Sequence, residues 1–265
     1  MHAQRLAFER SRDAMDTSSL ALPNALVGCS GWYYWHWREC FYPSDIPGSQ
    51  WFAHYASQFR TVELNAPFYS WPTDATVRTW IRQAKGRRFV YTVKVSELIT
   101  HQKRFVGTKT LIRDFCHIAD LLGSRMGCFL FQFPASFRYT PAVLKRVVSQ
   151  LDPARRNVVE FRHKSWWNER VYAAFRETNT IFCSCSGPRL PDELVKTTDE
   201  LYIRFHGTKR WYRHDYTREE LAVWVQRIAG SGAKRVWAYF NNDRDGFAIK
   251  NAKEFLRQLK SHIPK

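Results

Sequence analysis

Glu160, Arg162 and His163 stand together in the run Val159-Glu160-Phe161-Arg162-His163, and Arg204 and His206 flank Phe205 in a second run. Glu63 and Asn65 flank Leu64 in the same way. On a β-strand, residues two apart share a face, so each pair points in one direction. Glu63 or Glu160 offers a general base, and His206 or His163 a general acid or base. Lys94, Arg162 and Arg204 suit phosphate oxygens, the arginines through bidentate contacts. Trp32, Tyr69, Trp166 and Trp211 lie just beyond strand-like runs, where aromatic rings can stack nucleobases or sugars. Gln132, Asn65, Asn241 and Asn242 end further apolar runs and complete a candidate set of ligand contacts.

These residues need a scaffold that brings many strand ends to one place. Short β-rich runs occur at 26–30, 61–65, 88–94, 127–133, 157–161, 180–184, 200–205 and 235–240. Helical patterns lie at 49–59, 74–84, 109–122, 141–150, 169–178, 217–229 and 246–260. Thr217 followed by Glu220 reads as a capping box, and Pro141 suits a first helical turn. Eight strands, each usually followed by a helix, predict an α/β fold: a single (β/α)8 TIM-like barrel of parallel strands. Pro188 and Pro191 leave the helix between strands six and seven short or irregular. In such a barrel the polar strand ends converge at the carboxyl-terminal mouth. Ion pairs satisfied within the core are the alternative explanation for the same charges.

The chain of 265 residues is 45% hydrophobic and 25% charged, which is ordinary for a globular protein and excludes disorder of the whole chain. Its 41 basic and 24 acidic residues leave a net charge of +17, and both halves carry the excess. A field of that sign gathers anions such as nucleic acid or phosphorylated metabolites. Six sparse cysteines form no disulfide framework and no zinc-ligand spacing, which points to a reducing, cytoplasmic setting. No apolar run reaches the length of a membrane span, so no membrane association is expected. Residues 1–24 read as a polar, mobile extension, and 25–265 as one barrel domain.

Several ordered motifs resemble the domain-of-unknown-function family 72, also called the YecE-like family. They are Gly28-Cys29-Ser30-Gly31-Trp32 with Tyr34, Trp37 and Arg38; Val62-Glu63-Leu64-Asn65 with Phe68-Tyr69; and Lys94 with Thr100-His101. Phe131-Gln132-Phe133-Pro134 follows, then Val159-Glu160-Phe161-Arg162-His163 with Ser165-Trp166, the most specific element. Arg204-Phe205-His206-Gly207 with Trp211-Tyr212, and Tyr239-Phe240-Asn241-Asn242-Asp243, complete the set, which spans about Leu26 to Leu259. The resemblance implies a TIM-like barrel and supplies no activity. Where many members of the family carry an Asp near the end of the sixth strand, this chain has Cys183-Ser184-Cys185-Ser186-Gly187.

The favoured reading is an anionic, phosphate-containing substrate, such as single-stranded or damaged nucleic acid or a phosphorylated metabolite, bound and hydrolysed at the barrel mouth. A non-catalytic nucleic-acid or anion-binding protein is the first alternative. A carbohydrate-acting hydrolase using Glu63 and Glu160 is the second. No cofactor is expected, since P-loop, dinucleotide and serine-elbow motifs are missing from the sequence. Glu63, Glu160 and His206, with Asn241 beside them, could ligate a divalent metal, but the adjacent arginines disfavour it. The oligomeric state stays open.

Overall fold

The computed structural model describes residues 24–261, so the expected extension at 1–24 lies, apart from Asn24, outside the described residues. Eight strands follow in chain order: β1 Asn24–Cys29, β2 Thr61–Leu64, β3 Val90–Lys94, β4 Met126–Gln132, β5 Asn157–Glu160, β6 Ile181–Ser186, β7 Glu200–Phe205 and β8 Arg235–Phe240. All ladders are parallel, in the order β1-β8-β7-β6-β5-β4-β3-β2. The sheet curls until β1 meets β2, giving a nearly closed barrel.

The β1–β2 seam has a side-chain bridge in place of a backbone ladder. The Cys29 N–H donates to the Tyr55 hydroxyl at 2.8 Å, and that hydroxyl donates to the Thr61 carbonyl at 3.0 Å. Gly28 permits the approach, because a Cβ there would lie 2.3 Å from the Thr61 carbonyl oxygen.

The helices wrap the outside. They are α1 Trp51–Gln58, α2 Ala66–Tyr69, α3 Asp74–Gln83, α4 Lys109–Cys116, α5 Ile118–Leu122, α6 Pro141–Val148, α7 Glu169–Glu177, α8 Arg218–Ala229 and α9 Phe247–Ser261. Thr73, Thr140 and Asn168 cap α3, α6 and α7, and Thr217 and Glu220 form the expected capping box at α8. The single helix expected over 109–122 is instead two, because the turn at His117 tightens until the Asp120 N–H reaches the His117 carbonyl at 3.0 Å. The short helix α2 and a π-helical turn at Leu98–Gln102 were not foreseen.

No helix joins β6 to β7 among the described residues. A loop covers that face, tied down by hydroxyls. Ser184 Oγ accepts from the Val195 N–H at 2.9 Å, and Thr197 Oγ1 accepts from the Phe182 N–H at 3.0 Å while donating to the Thr180 carbonyl.

Alternation along the strands separates two cores. Leu201, Ile203 and Phe205 of β7 pack outward in the helix-facing cluster, whereas Tyr202 packs inside the barrel with Leu130, Val158, Cys183, Trp237 and Tyr239. The Tyr239 hydroxyl bonds Thr61 and Thr92 across the interior at 2.7 and 2.9 Å. The barrel is thus filled, and its next inward layer toward the mouth is ionic.

Candidate functional site

β2, β5 and β7 turn Glu63, Glu160 and Arg204 into that layer. Arg204 reaches Glu63 Oε1 through Nη2 at 2.5 Å and Glu160 Oε2 through Nη1 at 2.6 Å. Ser30 Oγ and the Tyr202 hydroxyl donate to the two Glu63 oxygens at 2.7 and 2.6 Å. Glu160 Oε1 takes the Nε of Arg162 and lies 3.2 Å from His206 Nε2. Glu63, Glu160, Arg204 and His206 are all buried. Charges so far from water persist only when paired and hydrogen-bonded, as these are.

The pairing sets the ionisation. Burial alone would raise the Glu160 carboxyl, but Arg162, then Arg204 and His206, outweigh it and hold it well below the usual carboxylate range. Burial would equally lower the Arg204 guanidinium, and Glu160 and Glu63 keep it firmly charged. Burial, with Arg162 beside it, pushes His206 well below the usual imidazole range, so the ring is neutral. Its Nε2 lies 3.1 Å from Arg162 Nη2, and its Nδ1 3.3 Å from Asn241 Nδ2.

Arg162 carries the cluster toward the mouth, its guanidinium 4.4 Å from the ring centre of Trp211. Lys94, at the end of β3, lies close enough to sense Arg204, Glu160, Glu63 and Arg162. Its Nζ stands 3.7 Å from the centre of the Phe68 ring and has no hydrogen-bond or ion-pair partner among the described residues. Burial, and then Arg204, bring its amine down to about 7 against the partial opposition of Glu160 and Glu63. His101, edge-on to Phe68, is lowered to about 4 by burial and by Lys94. Around this interior, the loops after β1, β2 and β7 expose Tyr33, Trp35, Tyr69, Trp71 and Tyr212, with Tyr69 74% and Trp35 63% exposed.

The expected residues therefore divide. Glu63, Glu160, Arg162, Arg204, His206, Asn241 and Trp211 come together, with Lys94 beside them. Asn65 donates to the Ser30 carbonyl at 3.2 Å and leaves its Oδ1 buried without a partner. Gln132 sits opposite Glu160 in the ladder, its Nε2 donating to the Phe133 carbonyl at 2.7 Å. Trp32 is half-buried with its edge on Phe52, and Tyr69 stands out on the rim.

Four expectations need correction. Trp166 stacks on Phe161 at 3.8 Å, is fully buried and donates its Nε1–H to the Phe137 carbonyl, so it is core and offers no face to a base. Asn242 ties the β8 loop to the Asn251 side chain and the His214 carbonyl and is fully buried. His163 caps the turn Lys164–Trp166, its Nδ1 accepting from the Ser165 N–H. Arg204 has both Nη atoms committed to carboxylates, so it positions Glu63 and Glu160 and does not clamp phosphate.

Glu63, Glu160 and His206 make a poor metal set, because Glu63 is saturated by Arg204, Ser30 and Tyr202. Glu160 also lies within 4.8 Å of the Cys183 and Cys185 sulfurs, but two guanidinium groups already hold its oxygens. β6 turns Cys183 and Cys185 inward with their sulfurs 3.8 Å apart. Ser30, Tyr202, Phe68 and His101 belong to the site and were not expected in it. Ser30 and Tyr202 could have been found from spacing alone, two residues from Gly28 and Arg204 on the same inward face.

A family model described as "Protein of unknown function DUF72" matches residues 26–265. The chain belongs to the DUF72 family. Among DUF72 relatives, the UPF0759 protein YunF of Bacillus subtilis is 25% identical over 274 residues, covering 88% of this chain and 94% of its own length. The UPF0759 protein YecE of Escherichia coli K12 is 26% identical over 202 residues, covering 66% of this chain and 72% of its own. The crystal structure of a DUF72 protein from Thermotoga maritima superposes with a TM-score of 0.81 at 28% identity, covering 89% of this chain and 99% of that one. The DUF72 barrel is thus shared over nearly the whole described chain. Among the described residues, no helix is long and apolar enough to cross a membrane.

Proposed function

We propose that the barrel mouth binds a phosphate-bearing ligand, single-stranded nucleic acid first among the candidates, with Lys94 and Arg162 on the phosphates. The observation that carries this is the Lys94 amine, which is buried beside the ionic layer and has no hydrogen-bond or ion-pair acceptor among the described residues. Lys94, Arg162 and Arg204 face Glu63 and Glu160, so the layer holds one cation in excess when the amine is protonated. A bound anion would supply the missing charge and restore the proton that burial removes. The exposed rings of Tyr69, Trp35, Tyr33 and Tyr212 suit unstacked bases, which favours a single strand over a small phosphate ester.

Glu160 is a poor general acid, since Arg162 and Arg204 keep it ionised, and this weighs against the two-glutamate glycosidase reading. Lys94 is a group at the mouth whose proton is in balance near neutral pH. Hydrolysis of a bound phosphoester would find a general acid there, since a bound anion keeps the amine protonated. The saturation of both glutamates favours a second reading, binding without turnover.

The test is fluorescence anisotropy of a labelled single-stranded oligonucleotide across a salt series, with Arg162→Gln, Lys94→Met and Tyr69→Ala variants. Affinity is expected to fall steeply with salt and to drop about tenfold or more in each variant. Unchanged affinity in Arg162→Gln and Lys94→Met together would sink the proposal. Cleavage of the oligonucleotide, followed on a gel, separates enzyme from binder.

A further inference from the structure

The opposite end of the barrel carries a second concentration of charge. Arg60 directly precedes β2, Arg87 and Arg88 precede β3, Arg125 directly precedes β4, Arg156 directly precedes β5, and Arg235 opens β8. All six line one cavity of about 490 Å³ at the amino ends of the strands. Leu26, Val90, Met126 and Trp237 line it as well. Such a volume lies within the range of small-molecule sites.

Among the described residues, neutralisation there is incomplete, and the cavity's arginines meet one carboxylate, Glu200, which accepts from Arg235 at 2.7 Å, from Arg156 at 3.2 Å and from Trp237 Nε1 at 2.8 Å. Arg125 spends Nη1 on the carbonyls of Arg87 and Phe89. The side chains of Arg60, Arg87 and Arg88 make no hydrogen bond, ion pair or ring contact with any described residue. Since β2, β3, β4 and β5 are consecutive neighbours, Arg60, Arg88, Arg125 and Arg156 follow an arc around the end of the barrel. One phosphate cannot meet cations spread along such an arc; a row of anionic groups can. Guanidinium is the side chain best matched to phosphate oxygens.

We infer that the amino-terminal end of the barrel is a second anion site, which takes a small molecule carrying a chain of phosphates. It lies at the far end of the strands from Lys94 and Arg162, so it does not depend on what the mouth binds. The apolar floor gives the non-phosphate part of such a ligand a surface to rest on.

Titration calorimetry of the full chain with sodium tripolyphosphate at about 0.15 M salt tests this, with inorganic phosphate as the single-anion comparison. Tripolyphosphate is expected to bind at least about tenfold more tightly than phosphate. The double variant Arg60→Gln/Arg88→Gln changes two exposed side chains and keeps the fold, which its melting curve checks. It is expected to lose about tenfold or more in affinity, with Arg113→Gln on α4 unchanged. No binding of tripolyphosphate, or equal binding by the double variant, overturns the inference. So does loss in Arg162→Gln alone, which would assign the anion to the mouth. A labelled single-stranded oligonucleotide that loses as much affinity in the double variant as in Arg162→Gln would make this end a nucleic-acid surface, and overturns the small-ligand assignment.

Discussion

Arg204 and Glu160 meet at 2.6 Å inside the barrel, from strands β7 and β5, with both side chains shut off from water. The remaining Nη of Arg204 holds Glu63, so one guanidinium pairs with two carboxylates in the interior. Removing it leaves Glu63 without an ion-pair partner and Glu160 with Arg162 alone. Arg204→Met is expected to lower unfolding stability by about 3–5 kcal/mol, read from urea denaturation at pH 7. Arg204→Lys should recover only part of that, because an ammonium cannot span both carboxylates in the geometry of the fork. Full stability in Arg204→Met would mean that the pair contributes nothing net.

Lys94 predicts a pH signature. Its amine falls from an ordinary 10.5 to about 7 in the folded chain, so between those values the unfolded chain holds a proton that the folded chain has released. Its contribution to stability therefore rises with pH from about 7 toward 10.5, and the cost of the charged amine is present in full below about 7. Lys94→Met should raise stability at pH 6 by on the order of 2–4 kcal/mol and flatten the melting temperature between pH 7 and 10. A variant that melts with the same pH dependence as the wild type would refute the assignment.

The same group links ligand to proton. An anion at the mouth stabilises the protonated amine, so binding near pH 7 should take up a proton and weaken as the pH rises through that region. Calorimetry in two buffers of different ionisation enthalpy measures the uptake. Lys94→Met should abolish it, while a merely structural lysine would leave it unchanged.

Trp166 and Tyr69 should behave in opposite ways. Trp166 is sealed between Phe161 and Phe137, so Trp166→Ala is expected to cost about 3–5 kcal/mol through the cavity it leaves. Tyr69 is mostly in solvent, so Tyr69→Ala should leave the melting temperature within about a degree and act on ligand affinity alone. The contrast is read by running denaturation and anisotropy on both variants.

Tyr55 closes the barrel where the backbone ladder does not. Tyr55→Phe removes the bridge between the Cys29 N–H and the Thr61 carbonyl and should cost about 1–3 kcal/mol. Hydrogen exchange at Cys29 should speed up more than exchange on β7. Equal protection in the variant would show that another group closes the seam.

Much of the arrangement was readable without coordinates. The eight β-rich runs and the defect marked by Pro188 and Pro191 sufficed for the barrel, because parallel strands buried on both faces leave a strong apolar signature. Spacing of two correctly grouped Glu160 with Arg162 and Arg204 with His206. It did not distinguish Trp166 from Trp211, both of which follow a strand end. Trp166 falls beneath its loop against Phe161 and Phe137, whereas Trp211 lies over Arg162, and that difference depends on loop paths rather than residue type.

By itself the sequence determined the strands, the inward face of each, and hence that carboxylates and cations from several strands share one layer. Alternation is a local property, set by where Cβ atoms point along a strand. Tertiary structure alone decided the partners within that layer. Glu63 and Arg204 are 141 residues apart, and their meeting depends on the stagger of strands around a nearly closed barrel. The same closure left Lys94 buried without a carboxylate partner among the described residues, and it gathered at the other end of the barrel arginines that the sequence scatters from 60 to 235. Charge balance in a buried layer is a sum over neighbours, and neighbours exist only once the chain has folded.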